Sequence, residues 1–327
     1  MTFQTWHFRA LQLFLAASAA LGAAWALGVT NPFWAAMPVW VVSQAWRQDL
    51  LIRGVLRVLG TVAGAALGLL ILAHVSNPVA LVLLYVLGVG AGTFLTYWIG
   101  TIYSYGALMA AITLGVVILP ALATPTDPWH LALGRVWCTL IGVVAVTLVT
   151  FLFTPRREEP HKIRQDHGLA RGLRNGALAG VISGAGLVAL LLIGQFWVVA
   201  GALALTVFAS IMGSMPDARP VIRYLPPAAA IGVVAALAYR LLGAWLGLPD
   251  LGLYLLGTVF IAGGALLRAH PRTAPFGLDS NMCFLLTAEI GTAGHGVEQE
   301  AFGGLALVAG TILVAQLFRR LQPGQPA

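Results

Sequence analysis

The sequence predicts an all-α polytopic membrane protein of about twelve transmembrane helices, arranged as two parallel six-helix repeats. Three observations carry this. Only 9% of the 327 residues are charged while 59% are apolar, against roughly 25% charged in a soluble domain. Mean hydropathy is +0.90, and apolar stretches recur from Leu11 to Phe318, each near the ~20 residues that cross ~30 Å of hydrocarbon. The chain also repeats itself at long range, which points to a transporter-like internal duplication.

The elements follow in order. In the first half the expected helices are 10–29, 33–46, 53–73, 78–98, 101–121 and 132–153. In the second they are 170–193, 196–213, 221–243, 250–268, 275–292 and 302–318. Turn signals separate them at Thr30-Asn31-Pro32, Ser76-Asn77-Pro78, Thr124-Pro125-Thr126-Asp127-Pro128 and Leu248-Pro249-Asp250. Arg9 followed by Leu11–Leu27 has the look of a signal peptide, but a counterpart begins at Arg171, so it is read as the first span. The expected organisation is a first repeat over 1–155, a basic linker over 156–169, a second repeat over 170–320 and a tail over 321–327.

The formal charge is +7, and its placement reports topology rather than nucleic-acid binding. Sixteen of the 18 Lys and Arg residues fall at the termini or in even-numbered loops. The odd-numbered loops carry Asp127, Asp250, Glu298 and Glu300 instead. The positive-inside rule then places both termini in the cytoplasm. An even span count is required, twelve, or ten if one hairpin is re-entrant.

The internal repeat is visible in particular residues. Phe33-Trp34 after the first span matches Phe196-Trp197 after the seventh. Arg53, Arg57 and His74 recur at a constant offset as Arg219, Arg223 and Arg240. Because each half has six spans, the two enter the membrane alike, and the symmetry axis is expected along its normal.

Candidate functional residues are those that are costly in a bilayer. Arg53 and Arg57 are four apart and share a helix face; Arg219 and Arg223 repeat the spacing. Two basic mouths would concentrate anions, whereas the plainer alternative is lipid-headgroup anchoring. Arg135 and Arg240 lie outside the cytoplasmic set, in the outer third of the membrane, either lining a path or snorkelling. His74 stands at the position equivalent to Arg240 and is a candidate for proton coupling, the plainer alternative being an ordinary interfacial histidine. Asp279 and Glu289 are carboxylates inside the eleventh span, the usual equipment of proton relays. Glu289 is the first candidate for proton coupling; its structural alternative is an ion pair with Arg135 or Arg240. Glu300 stands opposite Arg135 in the repeat register, which allows an Arg–Glu pair across the halves. The second and eighth spans are short and begin at the matched Phe-Trp pairs, and short or broken spans at corresponding positions point to a binding site. Trp34, Pro38, Trp40, Ser43, Gln44, Phe196 and Trp197 are the residues such a site would use, unless the tryptophans form an interface belt. The small-residue stripe Gly60, Gly64, Gly68 favours close helix packing. Cys138 and Cys283 lie in apolar spans without metal-ligand spacing, no hydrolase or nucleotide-binding motif is present, and neither enzyme activity nor a cofactor is expected.

The segments Phe33-Trp34-Ala35-Ala36-Met37-Pro38-Val39 and Arg57-Val58-Leu59-Gly60-Thr61-Val62-Ala63-Gly64 resemble the fusaric acid resistance and aromatic acid exporter family. So does the close of the first half, from Arg135 to Phe151-Leu152-Phe153-Thr154-Pro155-Arg156. The match covers residues 9–157; the second half follows loosely, with Pro226-Pro227 where Gly60-Thr61 would stand. The resemblance implies export of small, often aromatic, carboxylic acids from the bacterial inner membrane, driven by the proton gradient and often with a periplasmic adaptor protein. It also implies kinship with plant anion channels of the malate type. Expected partners are therefore a small organic anion, the lipid bilayer and an adaptor, with a homo-oligomer left open and no nucleic acid. A passive anion channel and a scaffold subunit of an efflux assembly are the alternative readings.

Overall fold

The computed structural model describes residues 6–124, 126–157 and 168–321. Within them the chain forms twelve α-helices and three 3-10 turns. The first half contains α1 (Trp6–Ala26), α2 (Met37–Val42), α3 (Arg47–His74), α4 (Pro78–Ile99), α5 (Tyr105–Ala123) and α6 (Pro128–Thr150). The second contains α7 (Leu169–Ile193), α8 (Val198–Gly213), α9 (Arg219–Trp245), α10 (Asp250–Ala269), α11 (Ala274–Ala288) and α12 (Val297–Leu321). Nine of these segments are long and apolar enough to cross a bilayer; α2, α8 and α11 are shorter. The protein is an all-α, multi-pass membrane protein. Most of the linker expected over 156–169 (its residues 158–167) and nearly all of the tail expected over 321–327 (residues 322–327) lie outside the described residues.

The helix boundaries follow from local chemistry. Asn77 accepts hydrogen bonds from the backbone of Val79 at 2.8 Å and Ala80 at 3.3 Å, and Asp127 accepts from Trp129 at 3.0 Å. Each is followed by a proline at the first helical position, where its fixed φ costs nothing. The turn signals of the sequence are thus N-caps.

The second crossing is not a continuous helix. It opens as a 3-10 turn over Pro32–Ala35, continues as the six-residue α2, and runs extended from Ser43 to Trp46. Pro38 occupies the first turn of α2 rather than interrupting a longer helix. The third helix correspondingly starts at Arg47, six residues before the expected boundary, which carries Arg57 ten residues (~15 Å at 1.5 Å per residue) into it.

Packing is closest where glycine permits it. A Cβ on Gly60 or Gly64 of α3 would lie 2.3 Å from the carbonyl oxygen of Gly106 or Ala110 on α5, so the small-residue stripe sets that contact. On α9, Gly232 makes the same approach to Ser280 of α11, at 2.4 Å. Other neighbours are arranged alike: α3 packs on α6 and α9 on α12, while α4 packs on α7 and α10 on α1. The last two contacts join the halves, reinforced by Tyr85 of α4 bonded to Thr206 of α8 at 2.7 Å and by Tyr254 of α10 donating to Ser18 O of α1 at 3.0 Å.

Candidate functional site

Two cavities of about 190 Å³ each carry polar or charged lining near the expected site residues. One is at the end of the bundle that carries the connections 27–31, 124–127, 194–197 and 289–296. It is lined by Asn31, Phe33, Trp34, Phe196, Trp197, Glu289, His295 and Glu300 among others. The other is at the end that carries the 43–46 and 214–218 segments, and Arg53, Thr101, Ser104, Tyr105 and Ser214 line it. The first is called the far cavity and the second the near pocket.

Both Phe-Trp pairs, Phe33-Trp34 and Phe196-Trp197, line the far cavity. The rest of the second-crossing set does not. Trp40 is fully buried in the core with α1, α6 and α11, and Pro38 packs against Gly142 of α6. Ser43 is buried at the end of α2, and Gln44 turns its Nε2 back onto the carbonyls of Val41 and Ser43 at 3.0 Å. These residues shape the break rather than line a cavity.

Between the cavities lies a ladder of basic and aromatic side chains. The Arg53 guanidinium carbon sits 5.2 Å from the centre of the Tyr105 ring, and its Nη1 donates to Val41 O at 3.4 Å. Arg57 Nη1 donates to the Tyr105 hydroxyl at 2.7 Å. Arg135 stacks 3.9 Å over the ring of Trp34, which faces the far cavity, and its charge and that of Arg57 oppose each other. Arg57 is 3% exposed and Arg135 is 4% exposed. Among the described residues, Arg57 Nε and Arg135 Nε and Nη1 have no hydrogen-bond partner, and the ion pairs all involve other side chains. The sequence expectation placed Arg57 at a mouth and Arg135 near the outer interface; both are instead interior. One charge at mid-bilayer costs at least about 2.5–3.5 kcal/mol. A desolvated tryptophan stack returns about 2 kcal/mol and a hydrogen bond to a charged group roughly 1.5–3 kcal/mol. With mutual repulsion added, the pair is left electrostatically unmet.

The second-half arginines are arranged otherwise. Arg219 is exposed and bonded to Asp217 at 2.9 Å, and Arg223 is exposed, so they do not reproduce the interior ladder. Arg240 is paired: its Nε lies 3.0 Å from Glu300 Oε1, and its Nη2 donates to Glu289 O at 3.4 Å. The Arg–Glu contact thus forms within the second half, between α9 and α12, and not between Arg135 and Glu300. Glu289 ends α11 in a left-handed conformation, φ 44, and its Oε2 lies 2.9 Å from His295 Nδ1. That bond raises the His295 pKa above its ordinary value. His295 stacks on Phe196 at 3.8 Å, tying the titratable group to the cavity wall. Among the described residues, Asn31 and Glu289 are the two non-glycine positions with positive φ, and both line the far cavity. Such backbone persists where its surroundings over-determine it.

Asp279 is half-buried on α11, within reach of the charge of Arg268, and does not line the far cavity. His74 is exposed and bonded to Leu70 O of its own helix at 3.0 Å. Sequence reasoning missed Tyr105 and His295. The signal for His295 was present: it sits in the glycine-rich turn Gly291–Gly296, six residues past the candidate carboxylate.

Residues 5–186, more than half of the chain, match the fusaric acid resistance protein family. The chain is similar to the p-hydroxybenzoic acid efflux pump subunit AaeB of Edwardsiella ictaluri (strain 93-146), 31% identical over 105 residues. That stretch is 32% of this chain and 16% of the relative. No solved structure matches. The chain belongs to the fusaric acid resistance protein family.

Proposed function

We propose that the protein is a secondary transporter of the bacterial inner membrane that exports small organic anions, aromatic carboxylates foremost, coupled to inward proton movement. The observation that carries this reading is the pair of buried, acid-free guanidiniums of Arg57 and Arg135 between two cavities. An interior that pairs no carboxylate with two arginines favours an anion passing between them, by the same electrostatics that make bare buried charge costly. Membership of the family and the likeness to a p-hydroxybenzoic acid efflux pump subunit support the efflux direction and the aromatic acid class.

In this reading both termini are cytoplasmic, so the near pocket faces the cytoplasm and Arg53 receives substrate there. The two halves, over 1–155 and 170–320, act as parallel repeats. The ring of an aromatic acid fits between the two Phe-Trp pairs, and Glu289 with His295 carries the coupling proton. Release past an adaptor protein, and assembly of several copies, extend the same proposal.

Flux in proteoliposomes tests it. Labelled benzoate is expected to move uphill when a proton gradient is imposed and to stop when an uncoupler collapses it. Flux that ignores the proton gradient and follows only the anion's electrochemical gradient would establish a passive channel instead.

A further inference from the structure

The transport reading does not say where an anion is held, and the two cavities do not answer it alone. The far cavity is lined by Glu289 and Glu300, whose partners His295 and Arg240 are already engaged with them, so this cluster offers an anionic head group no uncommitted positive charge. The near pocket offers Arg53, but that guanidinium already faces Tyr105 and donates to Val41 O. What separates them is Arg57 on Tyr105 and Arg135 on Trp34, more than nine-tenths buried and with guanidinium N–H groups lacking partners. Each of these side chains is held by one contact that leaves other donors free.

We propose that Arg57 and Arg135 form a single binding site for a small hydrogen-bond-accepting anion, filled by the carboxylate of the transported acid and, in its absence, by chloride. The proposal rests on the transport reading for the carboxylate's identity but not for the site itself. Geometry supports the choice of ligand. A guanidinium presents several donors in one plane, which match a carboxylate bidentately and a halide as a point charge. Tyr105 helps by fixing Arg57: its hydroxyl accepts from Arg57 and keeps a proton to donate. Trp34 fixes the plane of Arg135 and presents its other side to the far cavity, where the substrate's ring would follow its head group. The site thus adjoins one cavity through Trp34 and the other through Tyr105, and the bound anion would lie between the two guanidiniums.

The test uses full-length purified protein in nanodiscs, exchanged into sodium gluconate. Its thermal unfolding midpoint is followed as sodium benzoate or sodium chloride is added at constant ionic strength, since a ligand binding the native state stabilises it in proportion to its occupancy. Wild-type protein is expected to show saturable stabilisation by both salts, with chloride raising the apparent benzoate constant competitively. R57Q and R135Q are expected to lose saturation, a weakening of at least tenfold, and to be no less stable than wild type in gluconate, because each removes an unmet buried charge. R57K and R135K keep the charge and lose the planar fork, so they are expected to fold and to weaken benzoate about tenfold; they decide the matter should either glutamine variant fail to fold. Saturable binding that is unchanged in all four variants, or absent from wild type, overturns the site. Proton-driven flux of benzoate without saturable binding at these arginines would leave the transport reading standing and remove this one. Binding here without any flux would do the reverse.

Discussion

The two halves of the molecule treat interior arginine in opposite ways. In the first, Arg57 and Arg135 are held by a tyrosine and a tryptophan and meet no acid among the described residues. In the second, Arg240 lies against Glu300 and the Glu289 carbonyl, with His295 bonded to the Glu289 side chain. The first half thus carries a bare positive site and the second a charge-balanced, titratable cluster. The difference suggests a division of labour: an anion is wanted where positive charge is unmet, and a proton is handled where carboxylates and a histidine already share one arginine. Four measurements break or sharpen this contrast.

The largest effect is expected from Glu300→Gln. It strands Arg240 in an interior where its own side chain is 10% exposed and that of Glu300 is 5% exposed. Removing one partner of a buried pair costs roughly 3–5 kcal/mol, visible as a lowered unfolding midpoint. Replacing both, as Arg240→Met with Glu300→Leu, is expected to recover most of it. If the single change is silent, the second-half pair is not a matched one and the contrast fails.

Arg135→Gln comes next. It deletes charge-assisted hydrogen bonding worth roughly 1.5–3 kcal/mol, so benzoate export in proteoliposomes is expected to drop about 10–100-fold, at little cost to folding. Arg219→Gln, which alters only an exposed pair, should change export less than twofold. Equal losses from the two would show that the interior ladder has no special role.

A smaller effect is expected from Gly294→Ala. Gly294 has φ +70, and a Cβ there would lie 2.5 Å from Glu300 Oε1 and 2.6 Å from Arg240 Nη2. Positive-φ strain and the displaced pair together should cost about 1–3 kcal/mol, read as lower thermal stability with the anion site intact.

The smallest is a pH effect. Because the Glu289 bond raises the His295 pKa, the stabilisation from protonated His295 is full below about pH 6.5. It is lost as pH climbs through the raised value. NMR titration of the His295 ring should therefore give a pKa above that of an ordinary histidine, and Glu289→Gln should bring it back down. An ordinary value in the wild-type protein would detach His295 from the carboxylate.

Much of the architecture was legible in the sequence because bilayer physics constrains it so tightly. Apolar length, Asn-Pro and Asp-Pro caps and the placement of arginine gave the twelve helices in order; that Phe33-Trp34 and Phe196-Trp197 line one cavity was not legible in their spacing. Depth was less legible. Arg57 reads as an interfacial residue if its helix starts at Arg53; it becomes interior only because the second crossing breaks at Ser43 and α3 begins at Arg47. Partnership was least legible of all. Spacing alone set Glu300 against Arg135, whereas the packing of α9 on α12 brings it to Arg240. Tyr105 and Trp34 reach their arginines across different helices, contacts that no local pattern encodes.

The most direct test of the division between the halves follows benzoate and internal pH together in proteoliposomes under an imposed proton gradient. R135Q is expected to cut both the benzoate flux and the pH change that accompanies it about 10–100-fold. E289Q is expected to keep downhill benzoate flux while losing both accumulation and the associated pH change. Accumulation of benzoate by E289Q at the wild-type level would contradict that division.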